Sequence, residues 1–337
     1  MKKIWIIGGM GYIGSHLVGK IMQNFIVKYP SIHLMATDKS VTHRGKYEHY
    51  VFNPDIDDPV IVNETDSILD PEVLNGISEF DVIYLLAANS NVVDGNEKPY
   101  DLINNNVGLI MNVLNLIRAG KIRAKKLVFT SSAAVYASEY PGVDDSLTDL
   151  GLYSWTHMDE HSDLASAKHA STYGFSKIIG EKMIEAFSRQ YGLDYVILRL
   201  ANVAGEFAPF RENHIPETHL IPCLLDDEKP MKIWNDGENQ RDYIYVMDVV
   251  DALIAAGEKD IDSGAYNIGT GKGTWTKDLV KLIRPDLKNI EYTPEVRKGD
   301  SFKTILDSRK FQNATGWHPR FNLQDIIDSY WSHKHKF

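Results

Sequence analysis

From its N-terminus to about residue 200 the chain alternates short apolar runs with stretches of helical period. Lys3–Ile7 reads as a buried strand, because Ile4-Trp5-Ile6-Ile7 is a continuous apolar run closed at once by glycines. From Tyr12 to Val27, Ile13, Leu17, Val18 and Ile21 fall on one stripe and predict a helix. Ile32–Thr37 is a second strand, ending at Asp38. Asp81–Leu86 and Lys126–Thr130 are further buried strands, separated by a long helix around Leu102–Arg118. A helix over Ser171–Tyr191 and a strand at Tyr195–Leu198 follow. Repeated strand–helix–strand order implies a parallel, doubly wound sheet. After residue 203 the rhythm breaks into segments punctuated by proline, such as Ala208-Pro209-Phe210, Ile221-Pro222 and Lys229-Pro230. Asp242–Ala256 reads as a short strand leading into a helix. The expectation is an α/β protein in two parts. Residues 1–200 form the sheet domain, and 201–337 form mainly a smaller ligand-binding α/β lobe, some segments of which return to the sheet.

Charge narrows the partners. Over 337 residues, 46 Asp and Glu outnumber 36 Lys and Arg, for a formal charge of −10. Nucleic acids and anionic membranes favour basic faces, so neither is expected as a partner. An anionic ligand must then be held by local arginines and helix N-termini. The single cysteine, Cys223, excludes an internal disulfide and fits a reducing compartment, which predicts a cytoplasmic protein with an inert core thiol. No apolar run approaches the roughly 20 residues that span a bilayer.

The loop Gly8-Gly9-Met10-Gly11-Tyr12-Ile13-Gly14 joins the first strand to the first helix. Glycines at 8, 11 and 14 permit a tight turn and close approach to a pyrophosphate, which the helix N-terminus attracts through free N–H groups and partial positive charge. This is a Rossmann-type dinucleotide site. Asp38 stands 24 residues beyond Gly14, placed to accept hydrogen bonds from both ribose hydroxyls and to repel a 2′-phosphate. That favours NAD over NADP, although Lys39 and Arg44 lie close enough in sequence to leave NADP open. Asp66 is a candidate for the adenine edge, with a plain surface turn as the alternative.

Tyr173 and Lys177 are four residues apart, so on a helix the ammonium lies about one turn from the phenol. A positive charge there favours phenolate, and a group whose ordinary pKa is about 10 becomes a base near neutrality. The spacing alone is weak, since two common residues fall into it by chance. It gains weight from the glycine loop and from Ser132 in Thr130-Ser131-Ser132-Ala133-Ala134-Val135-Tyr136. Ser132, Tyr173 and Lys177 together outline a redox site.

Further motifs extend the picture: Leu86-Ala87-Ala88, Asn106-Val107, Arg199-Leu200-Ala201-Asn202-Val203-Ala204-Gly205, Gln240-Arg241-Asp242-Tyr243-Ile244, Tyr266-Asn267-Ile268-Gly269 and Arg297-Lys298-Gly299-Asp300. With the glycine loop, the Ser132 segment and the Tyr173–Lys177 pair, they resemble the extended short-chain dehydrogenase/reductase family, specifically its UDP-glucose 4-epimerase group. The resemblance covers nearly the whole chain. It implies NAD held by the glycine loop with Tyr12 and Ile13, by Asp38 and Asp66, and by Ala87, Ala88, Asn106, Tyr173 and Lys177. It implies a UDP-sugar whose 4-hydroxyl meets Ser132, with Tyr173 as base and Lys177 bridging the nicotinamide ribose. Asn202 would bind the nucleotide sugar, His219 and Leu220 the uridine, Arg241 and Arg297 the diphosphate, and Asp300 the ribose. The arginine pair also makes independent sense, because guanidiniums grip diphosphates with paired charge-assisted bonds. The helices around Leu102–Arg118 and Ser171–Gln190 match those that pair subunits in the family, so a homodimer is expected.

In that group the O4 proton leaves, a 4-keto sugar forms and turns over, and NAD is regenerated each cycle. Sister enzymes that dehydrate or decarboxylate usually place acidic residues directly after the active-site Ser or Thr, where this chain has Ala133 and Ala134. Without that acid, elimination lacks a proton-transfer partner and 4-epimerisation is favoured. Thr304 stands where epimerases selective for plain hexoses often carry a tyrosine, so N-acetylated sugars are open, as are uronates. The alternatives are a net NAD(P)-dependent oxidoreductase or dehydratase and, more remotely, a non-catalytic NAD-binding regulator. The interval from Ser132 to Tyr173 is longer than expected for the group and contains Asp144-Asp145 and His157-Met158-Asp159-Glu160-His161-Ser162-Asp163. His157 and His161 have metal-ligand spacing, but a solvated loop over the site mouth reads better and no metal is expected. Such a loop would bear on substrate scope.

Overall fold

The computed structural model describes residues 2–28, 32–38, 60–64, 78–90, 95, 97–136, 158–162, 164, 171–208, 220–226, 228, 230–296 and 302–333. Its first part is built on β1 (Lys2–Ile7), α1 (Tyr12–Lys28), β2 (Ile32–Asp38), β3 (Val60–Glu64), β4 (Glu79–Leu85), α2 (Pro99–Arg118) and β5 (Arg123–Ser132). There follow α3 (Thr172–Tyr191), β6 (Asp194–Leu200), β7 (Asn202–Ala204), α4 (Leu220–Leu224), β8 (Met231–Ile233) and β9 (Gln240–Tyr245). The remainder holds α5 (Val246–Glu258), β10 (Gly264–Ile268), β11 (Gly273–Trp275), α6 (Thr276–Ile283), β12 (Ile290–Tyr292), β13 (Lys303–Thr304), α7 (Arg309–Thr315) and α8 (Leu323–His333).

Seven strands form one parallel sheet in the order β10-β6-β5-β4-β1-β2-β3. The continuous apolar runs are explained by burial on both faces. In β1, Ile4 and Ile6 pack with Leu17 and Val18 of α1 and Val249 and Leu253 of α5. Trp5 and Ile7 point the other way, among Ile110 and Val113 of α2 and Ile184 of α3. The same two-residue alternation sends Val82 and Tyr84 of β4 to the first face and Ile83 and Leu85 to the second. Each such side chain contributes roughly 1.5–3 kcal/mol by leaving water. The result is the Rossmann-type doubly wound fold expected from the sequence.

Two strands of this sheet, β3 and β10, were not legible in the apolar pattern, nor were the short strands β7, β8, β11, β12 and β13. In β10, Gly-Ala-Tyr-Asn-Ile is too short and mixed to announce itself. Its place is set by pairing with β6, from Gly264 opposite Val196 to Ile268 opposite Leu200. The rest of the C-terminal part is a smaller α/β unit. There β9 pairs with β7, β11 and β13, β8 pairs with β12, and a separate core gathers Ile221, Leu224, Leu279 and Ile327. Cys223 is buried in that core, and Arg284 closes the end of α4 by donating to the carbonyls of Cys223 and Leu224.

Candidate active site

The sheet order reverses at β1, whose neighbours are β4 and β2, so a crevice opens at the carboxyl ends of β1 and β4. The glycine loop lies there. Gly8 adopts φ +89°, and Gly11 N–H donates back to Gly8 O at 3.1 Å. A Cβ on Gly8 would sit 2.5 Å from Ala87 N, and one on Gly14 only 2.0 Å from Gly8 O. Only bare backbone fits, and the same bareness lets a pyrophosphate approach. No acidic residue stands in the first turn of α1 to repel it. These residues therefore fit a dinucleotide. Tyr12 has turned away: its hydroxyl donates to Gly205 O at 3.2 Å, and burial raises its pKa well above the ordinary value. Ile13 packs against the core of the first face. Asp38 ends β2, in register with Glu64 of β3.

Ala87 and Ala88 follow β4, where Leu86 and Ala87 N–H both donate to Ile7 O. Asn106 is buried in α2, and both its amide hydrogens are committed, to Asn89 O at 3.0 Å and Ser176 Oγ at 2.9 Å. Its Oδ1 accepts Asn89 N–H at 2.7 Å. The expected cofactor residue thus holds the loop after β4 against the helix of Tyr173.

Ser171 starts α3 as its N-cap, its hydroxyl accepting Gly174 N–H at 3.1 Å. The cap puts Tyr173 in the first turn, above the end of β5. There Ser132 shares a side-chain hydrogen bond with Tyr173, and its Oγ accepts Ala134 N–H at 3.2 Å. Lys177, one turn on, is buried, with Nζ donating to Thr130 O at 2.8 Å and 5.9 Å from the centre of the Tyr173 ring. Ser132, Tyr173 and Lys177 therefore meet as expected. Their electrostatics differ from the expectation of a phenol lowered by its lysine. Burial raises the Tyr173 pKa, opposed by the Ser132 hydrogen bond, and burial pulls the Lys177 ammonium down to about 7, opposed by Glu181. Desolvation disfavours both charged forms, a factor that helical spacing cannot reveal.

Ala133 and Ala134 form a short 3-10 turn directly after Ser132, with Ala133 buried. On the facing lobe, Asn202 lies in β7 opposite Tyr243, and Leu220 opens α4. Arg241 lies in β9, with Nη1 donating to the carbonyls of Gln240 and Phe302. Thr304 is buried in β13, in register with Arg241. Asp66, His157, His219, Arg297 and Asp300 lie outside the described residues. Among the described residues no group of His, Cys, Asp or Glu gathers to hold a metal ion. His161 is exposed, and its N–H donates to Asp159 within a local turn.

Two residues went unremarked in the sequence. Glu181 follows Lys177 at one helical turn, a spacing that would have disclosed it. Gly174 gives no signal in one dimension, because its importance lies in a contact with the distant Ala134.

The sequence model of the NAD dependent epimerase/dehydratase family matches residues 4–269. The chain is 30% identical to the UDP-glucose 4-epimerase of Lactobacillus helveticus, covering 98% of this chain and 96% of that one. It is 32% identical to a putative UDP-glucose 4-epimerase of Methanocaldococcus jannaschii, covering 96% and 95%. Among solved structures, the UDP-glucose 4-epimerase of Thermotoga maritima with UDP-glucose superposes with a TM-score of 0.78 at 28% identity, covering 99% of both chains.

Proposed function

Because the chain belongs to the NAD dependent epimerase/dehydratase family, we propose that it is an NAD-dependent isomerase that interconverts UDP-glucose and UDP-galactose at C4. The observation that carries this reading is the meeting of Ser132, Tyr173 and buried Lys177 at the end of β5, in the same sheet whose β1 leads into the glycine loop, in a chain that UDP-glucose 4-epimerases match over 98% of its length.

Tyr173 takes the O4 proton as general base and returns it to the opposite epimer. Ser132 hydrogen-bonds O4 and relays the transfer, its Oγ accepting the O4 proton as its own hydroxyl proton passes to the Tyr173 phenolate. Lys177 holds the nicotinamide ribose, and when it is an ammonium its charge works against the burial that raises the Tyr173 pKa. NAD supplies the hydride acceptor and donor, so the sugar is oxidised and reduced within one cycle without net change. The glycine loop, Asp38 and Asp66 bind it. Asn202, His219, Leu220, Arg241, Arg297 and Asp300 bind the UDP-sugar. Ala133 and Ala134 favour epimerisation over elimination, since neither can act as an acid.

The test is to incubate the protein with UDP-glucose, its N-acetylated and uronate counterparts, and separate the products. UDP-galactose should form with no net rise in reduced-nicotinamide absorbance. Stoichiometric reduced cofactor would favour a net oxidoreductase, and a product lacking water would favour a dehydratase. Conversion of the N-acetylated sugar would fit the small Thr304.

We also assign a homodimer and a cytoplasmic location. The outer face of α2 and α3 supports the dimer, with Tyr100, Met111 and Ile179 exposed on neighbouring helices. Light scattering should give twice the chain mass, and Met111→Glu should shift it towards the monomer. A monomer for the unmodified protein would refute the assignment. No helix among the described residues is long and apolar enough to cross a membrane.

A further inference from the structure

Beneath Ser132, Tyr173 and Lys177 lies a buried polar network to which the roles above assign nothing. Glu181 is fully buried on α3, one turn beyond Lys177. Its Oε1 accepts Ser131 Oγ–H at 2.5 Å and Arg199 Nε–H at 3.0 Å, and its Oε2 accepts Arg199 Nη2–H at 2.7 Å. Arg199 comes from β6, where it stands in register with Ser131 of β5. Its Nη1 donates to the Tyr136 hydroxyl at 2.9 Å, which donates to Asn267 Oδ1 at 2.7 Å. Asn267 in turn donates to Met158 O and Glu160 Oε1, both within the long interval between Ser132 and Tyr173.

A buried carboxylate is costly unless paired and fully hydrogen-bonded, and each partner of this one sits next to the site. Ser131 adjoins Ser132, and α3 carries both Tyr173 and Lys177. We propose that Glu181 is a positioning residue for the reaction: its carboxylate clamps the helix of Tyr173 and Lys177 onto the strand end of Ser132 and supplies the counter-charge to Lys177. The proposal rests on Ser132, Tyr173 and Lys177 being the catalytic set.

Among the described residues, the titratable and charged groups around Lys177 are Tyr173 and Glu181 on its own helix and Arg199 behind Glu181 on β6. From β5 it meets the Thr130 carbonyl and the Phe129 ring, 4.8 Å from Nζ, neither of which titrates. Glu181 alone among them raises the Lys177 pKa against burial. Its carboxylate therefore holds the Lys177 ammonium up against the burial that pulls it down to about 7.

The full chain labelled with ¹³C-lysine tests this, the Lys177 ε-carbon signal being assigned with Lys177→Met. Glu181→Gln keeps the volume and the Ser131 hydrogen bond but removes the charge. Its Lys177 midpoint should fall by about one pH unit, roughly tenfold in the protonation equilibrium. The alkaline limb of kcat should move down with it, and Glu181→Asp should restore the midpoint. If the single variant fails to fold, Glu181→Gln/Arg199→Met removes the orphaned guanidinium too, and a lower midpoint is again expected. An unmoved midpoint overturns the proposal. Tyr173→Phe separates the two levels: full turnover there would remove the catalytic reading itself, whereas an inactive Tyr173→Phe with an unmoved Lys177 midpoint removes only the role of Glu181.

Discussion

Tyr173→Phe is expected to lower kcat for UDP-sugar interconversion by about 10²–10⁴-fold, the range for loss of a positioned general base. Phenylalanine keeps the ring between the Ser132 turn and Lys177, so packing is retained. What leaves is one hydroxyl and its bond to Ser132, worth about 1 kcal/mol of stability. KM for the UDP-sugar and retention of NAD should change little, because neither diphosphate nor dinucleotide binding runs through the phenol oxygen. The decisive measurement is the initial rate of UDP-galactose formation alongside the melting temperature. A rate within a factor of a few of the parent's would show that another group takes the O4 proton.

Gly174→Ala should damage the same chemistry from outside the catalytic set. A Cβ there would lie 2.4 Å from Ala134 O and 3.3 Å from Ala134 C. These are backbone atoms of the turn held by Ser132 Oγ, so no side chain can swing aside. The first turn of α3 must lift away from the end of β5, and Tyr173 is in that turn. A misplacement of about 1 Å can cost about 10²-fold in rate, and overpacking costs about 1–3 kcal/mol. Gly264→Ala is the matched control. Its Cβ would meet only Lys310 Nζ, at 3.9 Å, and both rate and stability should stay close to the parent's. Equal behaviour of the two variants would rule out the close helix–turn approach.

The central strands were legible because burial on both sheet faces leaves an uninterrupted apolar run, as in Ile4-Trp5-Ile6-Ile7. The helices were legible because one face must be apolar, as with Leu17, Val18 and Ile21 on α1. β10 was not, since a short edge strand gains its identity from pairing with β6, distant in sequence. The same division runs through the site. The glycine loop announces itself because its chemistry is local backbone. Ser132 and Tyr173 are brought together by β5 and the N-cap of α3, and only their motif contexts hinted that they meet. Asn106 reads in sequence as a cofactor residue, and the fold adds what one dimension does not disclose, that both its amide hydrogens bond Asn89 and Ser176.

Alone, the sequence determined the strand–helix order, the dinucleotide loop, and a tyrosine and lysine one turn apart, because each is a pattern along one dimension. The tertiary structure decided their protonation. Packing buries Tyr173 and Lys177 together, desolvation pushes the phenol up and the ammonium down to about 7, and Glu181 opposes the fall at Lys177. Charge in a protein interior depends on how far water is excluded and which counter-charge lies nearby, and both arise only when distant segments close around the site.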